Sequence, residues 1–307
     1  MIDDVRGRHD TGSVTGSVLR IVFEEYGDRG SPTVVLLHGW PDDVHTWDAV
    51  VPALVEAGMH VVVPYLRGFG PTRFLHDDTM RSGQLTALAA DVRDLMDGLG
   101  IDEFMVVGHD WGARAAYISA AVWPERVRAC VALSVGWGTN SPDQKLSLEQ
   151  AQNYWYHWLF GLPRGADLVR EHREELTGYI WRIWNPEADD TVLHADFEVT
   201  KASFDNPDWA DVTLHSYRSR WGLAPFDPAY AELEDAVQRA SAIAVPTLVL
   251  HGADDPCNAP TTSAGRDDLF SGGYRRVILP GAGHFPQRTA PEAVCRELVP
   301  FLTGSRG

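Results

Sequence analysis

Apolar residues along the chain come in two textures. Runs at 33–37, 61–63, 104–107, 127–133 and 246–250, rich in Val, Leu and Ala with at most one polar residue each, have no polar face and describe strands covered on both sides. Residues 18–23 alternate instead, as a strand with one wet face does, and lead to a turn over 27–32, while 275–279 is a further strand. Between these runs the apolar positions recur at helical spacing. A helix is expected over 47–57, stopped by Gly58. Another starts from a Ser82 cap, presents Leu85, Leu88, Ala89, Val92, Leu95, Met96 and Leu99 on one face and closes at Gly100; a last one covers 290–302. Buried strands alternating with helices give the α/β class, with a mostly parallel, doubly wound sheet.

That texture breaks after Gly136. From Trp137 to residue 225 no buried-strand run occurs, Trp, Tyr and His become frequent, and helical spacing covers 148–160 and 168–184. We read 1–136 and 226–307 as two parts of one α/β core and 137–225 as a helical cap inserted into it. An insertion after the strand at 127–133 would sit over the carboxyl ends of the parallel strands, where open sheets place their sites.

The strand at 104–107 runs into Gly108-His-Asp-Trp-Gly112 and then into the helix-forming stretch 113–121. A strand, a Gly-x-x-x-Gly turn and a helix push the central side chain into a cleft. The usual occupant is Ser; here it is Asp110. A carboxylate is ionised at neutral pH, needs no base to activate it, and displaces a leaving group from saturated carbon to form an ester. Epoxide opening or carbon–halogen cleavage therefore fits better than acyl transfer. Two later strands end in polar loops, His251-Gly-Ala-Asp-Asp-Pro256 and Pro280-Gly-Ala-Gly-His-Phe-Pro286. In the order nucleophile, acid, histidine, Asp255 orients His284 and His284 activates water. Asp254 is the neighbouring alternative for the acid.

Composition narrows the partners. The chain has 307 residues, with 26 Lys+Arg against 43 Asp+Glu, and its net charge of −17 repels phosphate backbones, which argues against nucleic acid. Cys130, Cys257 and Cys295 form no CxxC motif and cannot all pair, so they read as structural thiols of a reducing compartment. The first residues lack the apolar segment of a signal peptide and no window reaches the length of a membrane span, so a cytoplasmic protein off the membrane is expected. His251, Asp254 and Asp255 lack a recognised ligand spacing, and neither metal nor cofactor is expected. The sequence leaves homo-oligomerisation open.

Over 18–303 the chain resembles the α/β-hydrolase superfamily, in its epoxide hydrolase and dehalogenase branch, and epoxide hydrolases most of all. His38-Gly-Trp-Pro41 is similar to that branch's oxyanion segment, Gly108–Gly112 to its elbow, and Asp255-Pro256 with Gly281-Ala-Gly-His-Phe285 to its acid and histidine loops. The resemblance implies an oxyanion hole from the backbone N–H groups of Trp40 and Trp111. It also implies that Tyr156, in Gln152-Asn-Tyr-Trp-Tyr-His-Trp-Leu-Phe160, lies over the nucleophile and that Tyr217 lies beside it, two phenols that protonate the opening oxygen. Tyr154 is the local alternative to Tyr156. Trp40, Trp111, His157 and Trp158 are expected to line a pocket for a small apolar or aromatic substrate.

Two other readings share these residues. His157, Trp158 and Tyr217 resemble the halide-holding trio of fluoroacetate dehalogenases, and Arg114 matches one of that family's two carboxylate-binding arginines. Trp111 stands where the second should be, and half a clamp grips an anion poorly. Arg114 is expected instead to pair with an acidic neighbour or to lie under the cap. Trp40 also replaces the Asn or Glu that holds halide in haloalkane dehalogenases. The third reading is a non-catalytic ligand-binding protein of the same fold. Such proteins generally lose a triad member, and here all three are present.

Overall fold

The computed structural model describes residues 9–139 and 144–304, which form a single nine-stranded sheet flanked by helices. The strands are β1 (His9–Thr15), β2 (Leu19–Tyr26), β3 (Thr33–Leu37), β4 (His60–Pro64), β5 (Arg73–Phe74), β6 (Phe104–His109), β7 (Val127–Leu133), β8 (Thr247–Gly252) and β9 (Tyr274–Leu279). Their order is β1-β2-β4-β3-β6-β7-β8-β9, with β5 beside β2. From β4 to β9 along that path every pair is parallel, and β1, β2 and β5 add an antiparallel edge.

Alternation explains how one strand serves two cores. On β3, Val35 and Leu37 pack with α2 (Leu85–Leu99) and α3 (Trp111–Val122) on one face of the sheet. Val34 and Leu36 point the other way, into a core shared with α1 (Val51–Glu56) and the carboxy-terminal helix (Pro291–Gly304). Both faces are covered, which is why the sequence of β3, TVVLL, carries no polar position after Thr33, whose hydroxyl meets His60 Nδ1 at 3.0 Å.

Among its described residues the insertion makes six α-helices: α4 (Leu148–Asn153), α5 (Trp155–Gly161), α6 (Pro163–Glu171), α7 (Arg173–Trp184), α8 (Asp190–Thr200) and α9 (Trp209–Arg220). Their aromatic interior, with Tyr156, Phe160, Trp184, Trp209 and Tyr217, joins the core on the α2 and α3 face of the sheet. After it come α10 (Ala231–Arg239), α11 (Pro286–Thr289) and α12 (Pro291–Gly304). No helix among the described residues is long and apolar enough to cross a membrane. The amino-terminal stretch read as lacking a leader lies, over 1–8, outside the described residues, as do 140–143 of the insertion.

Several element readings need correction. The helix expected over 47–57 is a 3-10 turn, Val44–Trp47, followed by α1, because Pro52 restarts the helix near its first turn. Residues 148–160 are two helices that meet at Tyr154, and 168–184 belongs to two that meet at His172. The cap of α2 is Gln84, not Ser82. Strand β2 is buried on both sides except at Arg20, since β5 and β1 extend the sheet and Glu25 meets His60 Nε2 at 2.7 Å inside it. The polar strand β1 gave no apolar signal.

Candidate active site

Four loops leave the carboxyl ends of β3, β6, β8 and β9 and converge. At the end of β6, Asp110 has φ of 48°, a left-handed backbone that costs a non-glycine residue about 1–3 kcal/mol. The glycines on either side make the bend sterically feasible. A Cβ on Gly108 would lie 2.1 Å from the Gly112 carbonyl oxygen, and one on Gly112 would lie 2.3 Å from that of Leu37. No larger residue fits at either place, so the turn closes and α3 begins at once with Trp111. The Asp110 carboxylate is buried, 4% exposed, and its Oδ1 accepts the Trp40 backbone N–H at 3.0 Å. Trp111 opens α3, where an amide has no intrahelical acceptor.

Opposite the nucleophile position stands His284. Its Nε2 lies 3.9 Å from Asp110 Oδ2 and has no hydrogen-bond partner. Its Nδ1 is 2.9 Å from Asp255 Oδ2. The backbone N–H groups of Cys257 and Asn258 donate to Asp255 Oδ1 at 2.8 and 3.0 Å, so both carboxylate oxygens are fixed. Asp254 is exposed and takes no part. Burial favours the neutral form of each member of the pair, yet the opposite charge wins. The Asp255 carboxyl is held well below its usual range by His284 and by His251, and the His284 imidazolium is favoured by Asp255. Asp255, Cys257 and His284 also bring three ligand-type atoms within 4.8 Å of one another, but the direct His284–Asp255 hydrogen bond occupies two of them.

Above this floor the inserted helices supply aromatic walls. Trp40 stacks on Tyr156 with ring centres 5.7 Å apart and meets Tyr217 edge-on at 5.2 Å; the two tyrosine rings are 5.3 Å apart. Burial first, and the Asp110 carboxylate after it, push the Tyr217 phenol well above the ordinary range; Tyr156 is raised by burial and, more weakly, by Cys257, Tyr217 and Asp110. Both phenols stay protonated. Tyr154, by contrast, is committed, its hydroxyl donating to Asn258 Oδ1 at 2.7 Å. The indole N–H of Trp221 donates to His157 Nδ1 at 3.0 Å. An indole can only donate, so His157 carries its proton on Nε2. That atom is buried and unpartnered, and burial, with the nearby Arg220 and Arg114, keeps the ring neutral.

One expectation is corrected, and one of the two alternatives for Arg114 falls away. Trp158 does not line the site: it is 40% exposed and its indole N–H donates to the Ala151 carbonyl on the outer side of α5. Each helical residue turns by about 100° from the last, so Trp158, two after Tyr156, falls on the side of α5 opposite it, while Tyr156, His157 and Phe160 hold the inner face. Arg114 is buried, yet no acidic partner is found for it among the described residues; it donates to the Thr139 carbonyl and hydroxyl at 2.8 and 3.0 Å. Three contributors were given no role in the site from the sequence. His251 sits 3.2 Å from Asp255 Oδ2, Cys257 meets the Tyr156 hydroxyl at 3.5 Å, and Arg220 lies over the rings of Trp111 and Tyr217 at 5.5 and 4.9 Å. Only Arg220 left a usable signal, its spacing of three from Tyr217 on one helix.

Comparison with known proteins agrees with this architecture. The alpha/beta hydrolase fold family matches residues 32–291. Epoxide hydrolase A of Mycobacterium tuberculosis is 29% identical over 94% of this chain and 95% of its own. A solved structure of a candidate epoxide hydrolase from Klebsiella pneumoniae is 34% identical, covers 97% of this chain and 98% of its own, and superposes with a TM-score of 0.86. The structure of Epoxide Hydrolase A from Mycobacterium thermoresistibile is 27% identical over 97% and 99%, with a TM-score of 0.70. The chain belongs to the α/β-hydrolase family, in the branch that holds the epoxide hydrolases.

Proposed function

We propose that this protein is an epoxide hydrolase that works through a covalent ester on Asp110. The observation that carries the reading is a carboxylate at the elbow, with one oxygen on the Trp40 N–H and the other facing an unpartnered imidazole nitrogen. Oδ1 is held, so Oδ2 attacks an oxirane carbon. The carbon–oxygen bond breaks, and the alkoxide takes a proton from Tyr156 or Tyr217. Proton delivery of this kind is worth about 10²–10⁴ in rate. Neutral His157, with its Nε2–H pointing at no protein acceptor, is a third donor beside the phenols.

His284 then removes a proton from water through Nε2, and the hydroxide adds to the carbonyl carbon of the ester. The negative oxygen that forms falls on Oδ1, where the amides of Trp40 and Trp111 would stabilise it by about 2.7–4 kcal/mol. Collapse releases a vicinal diol and regenerates the carboxylate with one oxygen from water. The His284 proton restores the tyrosine. Halide displacement would use the same first step, but a halide is a weak base that needs hydrogen-bond donors and no proton, so the proton that two phenols can deliver favours the oxirane.

Single turnover in oxygen-18 water tests the scheme. The label is expected in the Asp110 carboxyl after the first cycle, with an unlabelled diol; immediate labelling of the diol would refute the ester. Halide release from chloroacetate or a haloalkane without diol from any oxirane would assign the chain to the dehalogenases. Tight ligand binding with neither product would make it a binding protein.

A further inference from the structure

Beside the catalytic centre lies a cavity of about 290 Å³ whose walls include Arg114, Arg220, Tyr117, Ile118, Trp137 and Phe226. Arg114 follows Asp110 by one turn of α3, and Arg220 follows Tyr217 by one turn of α9, where its guanidinium lies 4.9 Å from the Tyr217 ring centre, so both arginines stand on the helices that carry reacting groups. Each arginine is 4% exposed. Neither has an ion pair among the described residues. Arg114 reaches only Thr139, and Arg220 donates to the Ser216 hydroxyl at 2.8 Å. The Nε–H of each is buried without any acceptor. Glu234, on the far wall, is engaged by Gln84 and Thr86.

Buried charges are normally paired, and two like charges side by side with spare donors are the reverse of a stabilising arrangement. The rings of Trp111 and Tyr217 compensate Arg220 in part. Nothing comparable covers Arg114. Planar forks of N–H donors match a carboxylate, which accepts in parallel from two sides.

We propose that Arg114 and Arg220 form a carboxylate subsite, and that the substrate is an oxirane carrying a carboxylate on a short tail. The oxirane lies at Asp110 and the anion about one helical turn away, in a cavity whose remaining lining mixes apolar rings with Gln84, Thr86, Thr139 and Glu234. This rests on the epoxide hydrolase reading above, whose oxirane it completes.

The test is a series of ω-epoxy carboxylic acids of increasing chain length, each against its methyl ester, assayed for diol on the wild-type protein. At the best length kcat/KM for the acid is expected to exceed that for the ester by about tenfold to a hundredfold, the size of one or two charge-assisted hydrogen bonds. In R114Q and R220Q that ratio collapses toward one. Binding of octanoate and of octanamide, measured by calorimetry, needs no turnover: octanoate is expected to bind at least about tenfold more tightly, and less so as salt rises. Equal kcat/KM for acid and ester, with octanoate no tighter than octanamide, overturns the subsite and leaves the epoxide hydrolase reading standing. Tight octanoate binding with no diol from acid or ester overturns the assigned substrate through failure of that reading.

Discussion

The two sides of the site are built on different terms. On the sheet side, Asp110, Asp255 and His284 stand on loops fixed by strand ends, and backbone groups hold them: the Trp40 amide on Asp110, the Cys257 and Asn258 amides on Asp255, and the Trp184 carbonyl accepting from the His284 N–H at 2.8 Å. On the helical side, Tyr156, His157, Tyr217 and Arg220 are held by ring packing, and several polar atoms there have no protein partner. A backbone-built site presents one reaction geometry. A side-chain-built wall can change what is admitted while that geometry persists.

The largest effects should fall on the sheet side. Asp110→Ala removes the nucleophile, and turnover of any oxirane is expected to fall by about 10⁴-fold or more. His284→Gln is expected to stop the second half-reaction only, so that intact-protein mass spectrometry finds a stoichiometric adduct on Asp110. Loss of the adduct in that variant would mean that His284 also serves alkylation, and the division of labour between the two sides would fail.

Asp255→Asn separates orientation from charge. With the carboxylate in place His284 is held above the usual histidine range, so its neutral, water-activating form grows only as pH rises through that raised value. Ester hydrolysis in the wild type should therefore climb with pH on the alkaline side of ordinary histidine. Without the charge, burial dominates and lowers the histidine, so the rising limb should move to lower pH while the maximal rate drops by about 10³-fold. A pH profile of single-turnover ester decay gives both numbers. A limb that stays in place would show that Asp255 does not set the proton affinity of His284.

Legibility in the sequence followed the same division. Asp110 was readable because a tight turn with glycines at 108 and 112 leaves one outward position, and Asp255 and His284 because each follows a buried run by a few residues. These are consequences of backbone geometry, which sequence spacing encodes. Trp158 was misplaced because an aromatic-rich helix does not disclose which of its faces is inward; that depends on Trp40 and Tyr217, far away in sequence. Arg220 left no more than its spacing from Tyr217 for a related reason, since its burial without an acidic partner among the described residues arises where α9 meets α3. The polar strand β1 and the breaks at Tyr154 and His172 depend likewise on contacts made elsewhere.

On the helical side the effects should be graded. Tyr217→Phe removes the phenol that feels Asp110 most strongly and should slow alkylation on the order of 10²-fold without changing ester hydrolysis. Tyr156→Phe should act on the same step by less, because its hydroxyl is already shared with Cys257. Trp221→Phe is milder again. It frees His157 Nδ1, lets the proton leave Nε2, and should cost about two- to tenfold in alkylation, the size of one neutral hydrogen bond. Rapid-quench measurement of ester formation ranks the three.

Trp158→Ala is the sharpest check on the boundary between wall and exterior. Its indole touches Trp221 at 4.9 Å and the Ala151 carbonyl, but it is 40% exposed and faces away from Asp110. If the inner face of α5 alone shapes the pocket, truncation should leave kcat/KM for a large aromatic epoxide within about twofold and stability within about 0.5 kcal/mol, as for other surface positions. Trp221→Phe in the same assay must show the larger loss. A reversal of that order would place Trp158 in the path by which substrate reaches a carboxylate that is itself almost wholly enclosed, and the helical side would then owe its selectivity to entry and not to the fit of its inner rings.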